Sequence, residues 1–158
     1  PMKLLVGIDV SSKELEVAML TSESTKQLFR TNVSNDLNGA SEIKRKILEL
    51  NETYQFEQTV IGMESTSVYS FHPAFFFKND AELTALNVDA VLLNPRATKR
   101  YKDVFEDSKS DTIDAFYIAD FLRIGRYTTG IGRQEEYLAL QRLTRSRFEV
   151  IQSLTRSK

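Results

Sequence analysis

The chain has no cysteine and a single histidine, His72. Without thiols there is no disulfide and no thiolate metal centre, which suits a reducing compartment and leads to the expectation of a cytoplasmic protein. One imidazole is too few for the histidine-rich sites that hold zinc or iron. Any bound metal must then be held by oxygen, and oxygen donors select Mg²⁺ or Mn²⁺. No apolar run approaches the ~18 residues that span a bilayer, so no membrane partner is expected. Charge of one sign is also missing: 21 Lys and Arg stand against 22 Asp and Glu. A surface for a polyanion would have to be local. What is present, 158 residues with 41% hydrophobic and 27% charged, allows one well-cored domain with an appendage.

The most informative stretch runs from Lys109 to Leu122, KSDTIDAFYIADFL. Read as a helix, it aligns Asp111, Asp114, Ala115, Ile118 and Leu122 on one stripe that would face a core. A carboxylate facing a core is costly unless a cation or donor meets it. By the same helical wheel, Asp120 points away from the stripe and can be solvated. The plainer alternative is that Asp111 and Asp114 occupy a first turn after Ser108 or Ser110 as N-cap and favour the helix dipole.

The rest of the chain bears on that choice. Lys3 to Val10 is a nearly continuous apolar run ending in Asp9 and Val10, as expected of a central strand covered on both sides. Glu14 to Leu20 alternates, and Gln27 to Val33 is a weaker, polar strand suited to an edge, so the chain opens with a three-strand meander. Ser34, Asn35 and Asp36 are N-cap candidates for a helix with Ala40, Ile43, Ile47 and Leu50 on its buried face. Thr59 to Met63 is a further buried strand ending on Glu64. After it, Ser65 to Ser67 lead into an aromatic helical segment holding Tyr69, Phe71, Phe75, Phe76 and Phe77, where Pro73 fits only a first turn or a kink. Such a cluster is read as core packing rather than a base-stacking surface. Val88 to Leu93 is the last strand, stopped by Asn94-Pro95.

Three strands, helix, strand, helix, strand, helix is the order of the RNase H-like fold. The expectation is therefore an α/β domain over residues 3–124, with a mixed five-stranded sheet and helices on both faces. If the strand from Thr59 lies parallel beside the strand from Lys3, Asp9 and Glu64 stand ~5 Å apart at neighbouring carboxyl ends. Ligands of open α/β sheets collect at that edge. The late helix could then lay Asp111 and Asp114 against it, bringing four oxygen donors from three elements together. Before that helix, Arg96, Lys99, Arg100, Lys102 and Lys109 form a basic run. It reads equally as solvated surface or as a strip for a phosphodiester backbone. Gly125, Gly130 and Gly132 mark a linker over 125–133. From 134 to 158, Leu140, Leu143, Ile151 and Leu154 recur amid Arg142, Arg145, Arg147 and Arg156, a basic amphipathic C-terminal extended helix for coiled-coil pairing or nucleic-acid contact. It has no terminating signal before Lys158, which leads to the expectation that the natural protein continues.

Gly7-Ile8-Asp9-Val10-Ser11, Glu64-Ser65-Thr66 with Tyr69, Asn94-Pro95, and Lys109-Ser110-Asp111 followed by Asp114-Ala115 together resemble the N-terminal catalytic domain of DEDD-type, RuvC-like insertion-sequence transposases. This is the insertion sequence 110 family, which includes the Piv invertase group. The resemblance covers about Lys3 to Arg123, and the order and spacing of the four acids make it specific. It implies that Asp9, Glu64, Asp111 and Asp114 are the catalytic ligands of one or two Mg²⁺ or Mn²⁺ ions. The implied activity is cleavage and exchange of DNA strands at element ends and target. It further implies a homo-oligomer paired through the C-terminal helix, a nucleoid-associated bacterial setting, and, since some members use one, an element-encoded guide RNA as a further partner. The family also carries a nucleophilic serine in a C-terminal domain beyond a helical segment like residues 135–158, so this chain alone is expected to be catalytically incomplete. Two positions depart from the family pattern: Ser67, where glycine is usual, and Thr112, where a basic residue is common.

Three other readings compete. A stand-alone RuvC-like structure-selective endonuclease would need only this domain. A non-catalytic RNase H-like nucleic-acid-binding module would show no metal response. An actin-like ATPase shares the opening Gly-Ile-Asp strand and hairpin, but it needs glycine near Ser11 and a second glycine-rich phosphate loop, and neither is visible.

Overall fold

A computed structural model of the chain describes residues 2–64, 68–105 and 114–125. The five expected strands are all formed: β1 (Lys3–Val10), β2 (Glu14–Thr21), β3 (Phe29–Ser34), β4 (Gln58–Glu64) and β5 (Val88–Leu93). They make one sheet in the order β3-β2-β1-β4-β5. β1 pairs antiparallel with β2, and β2 with β3, whereas β1 with β4 and β4 with β5 are parallel. This is the mixed sheet of the RNase H-like fold. β1 is its middle strand, and its apolar run is buried from Leu4 to Ile8. β3 lies at the edge, and only Val33 of its residues is buried.

Side-chain alternation sorts the sheet into two faces. Leu4, Val6 and Ile8 pack with Val17, Met19, Ile61 and Met63 under α1 (Leu37–Tyr54), α2 (Phe71–Asn79) and α3 (Ala81–Ala85). Asp36 caps α1 by accepting the Gly39 N–H at 2.8 Å, and Ala40, Ile43, Ile47 and Leu50 form its buried face, as the spacing requires. Pro73 sits in the first turn of α2, where its missing N–H costs nothing. Phe77 of the aromatic segment is fully buried in this cluster, but Tyr69 is 50% exposed.

The opposite face carries a smaller cluster of Leu5, Val60, Leu93, Tyr101, Ile118, Phe121 and Leu122. It lies under α4 (Pro95–Phe105) and α5 (Ala115–Arg123). The basic run from Arg96 to Lys102 thus forms a helix of its own. Asn94 and Pro95 do more than end β5: the Asn94 Oδ1 accepts the Arg96 N–H at 2.9 Å, a capping bond, with proline in the first helical position.

α5 keeps the expected apolar stripe, since Ala115, Ile118 and Leu122 are buried, but it begins later than the pattern suggested. Asp114 is its N-cap, with extended backbone (φ −88°, ψ 172°) and a side chain that accepts the Tyr117 N–H. A capping carboxylate satisfies an otherwise orphaned N–H, which explains why the helix starts there. The expectation that Asp120 is solvated is also corrected, because its exposure is only 8%. α5 is covered on two sides, by the sheet and by α4, so its outward flank is buried as well. Asp120 meets this burial by accepting from the Tyr101 hydroxyl and from Arg123 Nε at 2.6 Å. Burial, together with Asp120, pushes the Tyr101 hydroxyl up to about 12, so it keeps its proton and remains a donor at neutral pH.

Asp111, Lys109, Arg142 and Arg145, most of the expected glycine linker and the expected basic helix over 134–158 lie outside the described residues. Among the described residues, no helix is long and apolar enough to cross a membrane.

Candidate carboxylate site at the sheet rim

Two successive rows of the sheet build the site. The first row, Ala18-Gly7-Gly62, is small throughout. It lies on the face of Leu5 and Val60, beneath α5. A Cβ added at Gly7 would stand 2.3 Å from the Ala115 carbonyl oxygen and 2.4 Å from the Ala119 nitrogen. The α5 backbone therefore rests directly on β1, closer than any other residue would allow.

The next row along is acidic. Asp9 pairs with Glu16 of β2, and on the other side Ile8 pairs with Met63, so Asp9 and Glu64 are the following residues of two parallel neighbours. Asp9 shares a face with Leu5 and Gly7, and Glu64 shares it with Val60 and Gly62, so both carboxylates turn toward the α5 side. Seating Ala115 on Gly7 brings Asp114, one residue earlier, to the same rim. Glu16 is neutralised by an ion pair with Arg30. Among the described residues, no ion pair reaches Asp9, Glu64 or Asp114.

The electrostatics follow from this crowding. Burial, and then the charge of Asp114, hold the Asp9 carboxyl above its usual range. Burial raises Glu64 as well, and the negative charge of Asp9 adds to it, while a hydrogen bond from Thr98 pulls the other way. Thr98 is 1% exposed, and its Oγ1 lies 3.0 Å from Glu64 Oε2. Partly buried carboxylates that repel one another can be relieved by taking up protons or by gathering around a cation. The donor set, all oxygen, suits a hard divalent ion. Among the described residues, no three acidic or imidazole side chains already form a ready-made metal cage. Asp111, the fourth acid of the expected set, is outside that group.

The basic run is divided by its helix. Arg96, Lys99 and Arg100 are exposed on the outer face of α4. Lys102 is 4% exposed, on the inner face with Thr98 and Tyr101, and its Nζ lies 5.9 Å from the centre of the Tyr117 ring. Thr98 and the Tyr101-Asp120-Arg123 group escaped the reading of the sequence. The signal that could have revealed them is the Asn94-Pro95 helix start, which fixes Thr98, Tyr101 and Lys102 at i, i+3 and i+4 on one side.

Residues 6–158 match the family model of the DEDD transposases of the IS110 type, described as transposase. The chain belongs to this family. As a transposase catalytic domain, it works on the phosphodiester bonds of nucleic acid. No curated protein matches it. Among solved structures, the transposase is similar to Thermus thermophilus RuvC in complex with its Holliday junction substrate, at 12% identity over 78% of this chain and 96% of that one, TM-score 0.47. The similarity to a second T. thermophilus RuvC structure covers 78% and 97% at the same 12% identity and TM-score of 0.47. An Aquifex aeolicus member of the Ppx/GppA family is also similar, at 12% identity over 64% of this chain and 38% of that one, TM-score 0.36. The fold assignment stands on strand order and pairing direction, not on these three likenesses.

Proposed function

We propose that this transposase domain cleaves and exchanges DNA strands with one or two Mg²⁺ or Mn²⁺ ions held by Asp9, Glu64, Asp114 and Asp111. The observation that carries the reading is the convergence of Asp9, Glu64 and Asp114 on one rim, partly buried, with no cation paired to them among the described residues. The chemistry such an ion supplies when bound is polarisation of the scissile phosphate and relief of charge on the attacking and leaving oxygens. The chain's own part is to hold the donors. β1 and β4 fix Asp9 and Glu64 through their parallel register, and the α5 N-cap bond uses Asp114 Oδ1, leaving Oδ2 for a ligand. Arg96, Lys99 and Arg100 on α4 supply phosphate contacts that position DNA, and Lys109, Arg142 and Arg145, outside the described residues, are further basic residues assigned to DNA. Lys102, being buried, is assigned to holding α4 rather than to DNA. The nucleophilic serine, a guide RNA and oligomerisation through the basic helix belong to the whole transposase on this reading.

The test is incubation of the chain with branched and element-end DNA in Mg²⁺ or Mn²⁺, beside Glu64→Gln. Metal-dependent DNA binding with little cleavage until the serine-bearing remainder is supplied is the expected result. Robust cleavage by the chain alone would identify a self-sufficient nuclease instead. Indifference to metal and to Glu64→Gln would identify a binding module.

A further inference from the structure

We infer that Thr98 is a positioning residue for Glu64, tying that carboxylate to the helix whose outer face presents Arg96, Lys99 and Arg100. The inference rests on the proposed metal role of Glu64 and adds the residue that orients it. Glutamate reaches the rim through one more rotatable bond than aspartate, so its carboxylate needs holding. Asp114 is held by the Tyr117 N–H, and the corresponding donor for Glu64 is the Thr98 hydroxyl, 3.0 Å from Oε2. That bond leaves Oε1 for a ligand.

Thr98 Oγ1 also lies 3.0 Å from the Pro95 carbonyl, one turn back in α4. A hydroxyl has one proton to donate. An ionised carboxylate is the stronger acceptor, because charge-assisted bonds are roughly twice as strong as neutral ones, so the proton belongs to Glu64. Packing alone does not explain a threonine here. At 1% exposure valine would fill the same space without a hydroxyl to satisfy. Thr98 is also flanked by the outward cations, with Lys99 next to it and Arg96 and Arg100 two residues to either side. Any movement of α4 onto a phosphate backbone therefore moves the donor that orients Glu64.

The test uses the chain alone, with Mn²⁺ as probe and its concentration at half-maximal thermal stabilisation as readout. Thr98→Ser and Thr98→Ala differ only in the hydroxyl, so the comparison stands even if the isosteric Thr98→Val fails to fold. Thr98→Ser should bind Mn²⁺ like the unchanged protein. Thr98→Ala should need about tenfold more Mn²⁺ or above, the scale of loss when an outer-shell partner is removed. Equal Mn²⁺ midpoints for the two would overturn the positioning role and leave Thr98 bonded to its own helix. Failure of the underlying reading looks different: no Mn²⁺ response in the unchanged protein, or the same response in Glu64→Gln.

Discussion

Gly7→Ala tests whether the close seat of α5 on β1 is what delivers Asp114 to the rim. The added Cβ would meet the Ala115 carbonyl at 2.3 Å and Ala119 N at 2.4 Å. Ordinary contact begins near 3.4 Å, so α5 must rise by about 1 Å, and the obstacle is backbone that cannot rotate away. Overpacking of this kind costs about 1–3 kcal/mol, or roughly 4–12 °C in a domain of this size. The displacement is also transmitted to Asp114, next to Ala115, and a misplacement of about 1 Å at a reacting site can cost about a hundredfold. Gly62→Ala is the control. The three atoms nearest its Cβ all belong to the Leu122 side chain, with Cδ1 at 2.8 Å, near the far end of α5, and that side chain can turn aside. Thermal unfolding in EDTA gives the stability cost, and Mn²⁺ titration followed by the melting temperature gives the site response. Gly7→Ala should lose both stability and most of the Mn²⁺ response, whereas Gly62→Ala should keep the response. A Gly7→Ala protein that is destabilised yet binds Mn²⁺ normally would refute the link between helix seat and site.

Other outcomes follow from the same geometry. Asp9 and Glu64 are held above their ordinary values of 3.8 and 4.5, so the folded chain takes up protons more readily than the unfolded one. Their share of metal-free stability must therefore rise as pH falls through the raised values, and the rise is complete below the ordinary ones. Compared with Asp9→Asn, the unchanged protein in EDTA should lose stability as pH rises from about 4 through the raised values, and saturating Mg²⁺ should remove that loss; parallel curves in EDTA would contradict the repulsion. Asp120→Asn should lower the melting temperature measurably by weakening the bonds to Tyr101 and Arg123, a cost of about 1–3 kcal/mol. An unchanged melting temperature would show that this group does not fasten α4 to α5. Replacing Arg96, Lys99 and Arg100 together by alanine should weaken DNA binding and reduce the slope of log affinity against log salt by about 2–3, with no effect on Mn²⁺ binding; an unchanged slope would remove α4 from the DNA interface.

The parts of the fold that could be read from sequence are those written in long-period patterns. β1 announces itself by an uninterrupted apolar run and α1 by residues at i, i+3, i+4 and i+7. The alternation of strands and helices then leaves few topologies, so the adjacency of Asp9 and Glu64 at two carboxyl ends could be foreseen. Sequence and structure part where a short element is covered on more than one side. A helical wheel assumes one buried face, and α5 has two, which turns Asp120 from a solvated residue into a buried one. α4 was missed because charge masked its start, and its inner face holds Thr98 and Lys102 rather than aliphatic residues. Asp114 was expected inside a helix, and only the local capping bond moves that boundary.

The unequal division of the apolar interior has a mechanical consequence. Most of the buried hydrocarbon lies on the α1 side of the sheet, while α4 and α5 cover a smaller apolar cluster. The half of the domain bearing Asp114 and Thr98 is therefore held less by hydrocarbon than by the close seat of the α5 backbone on Gly7 of β1. The strands and the helix start that carry the acids are thus fixed against each other before any ion arrives, so that a cation would meet a seat already assembled by backbone contact.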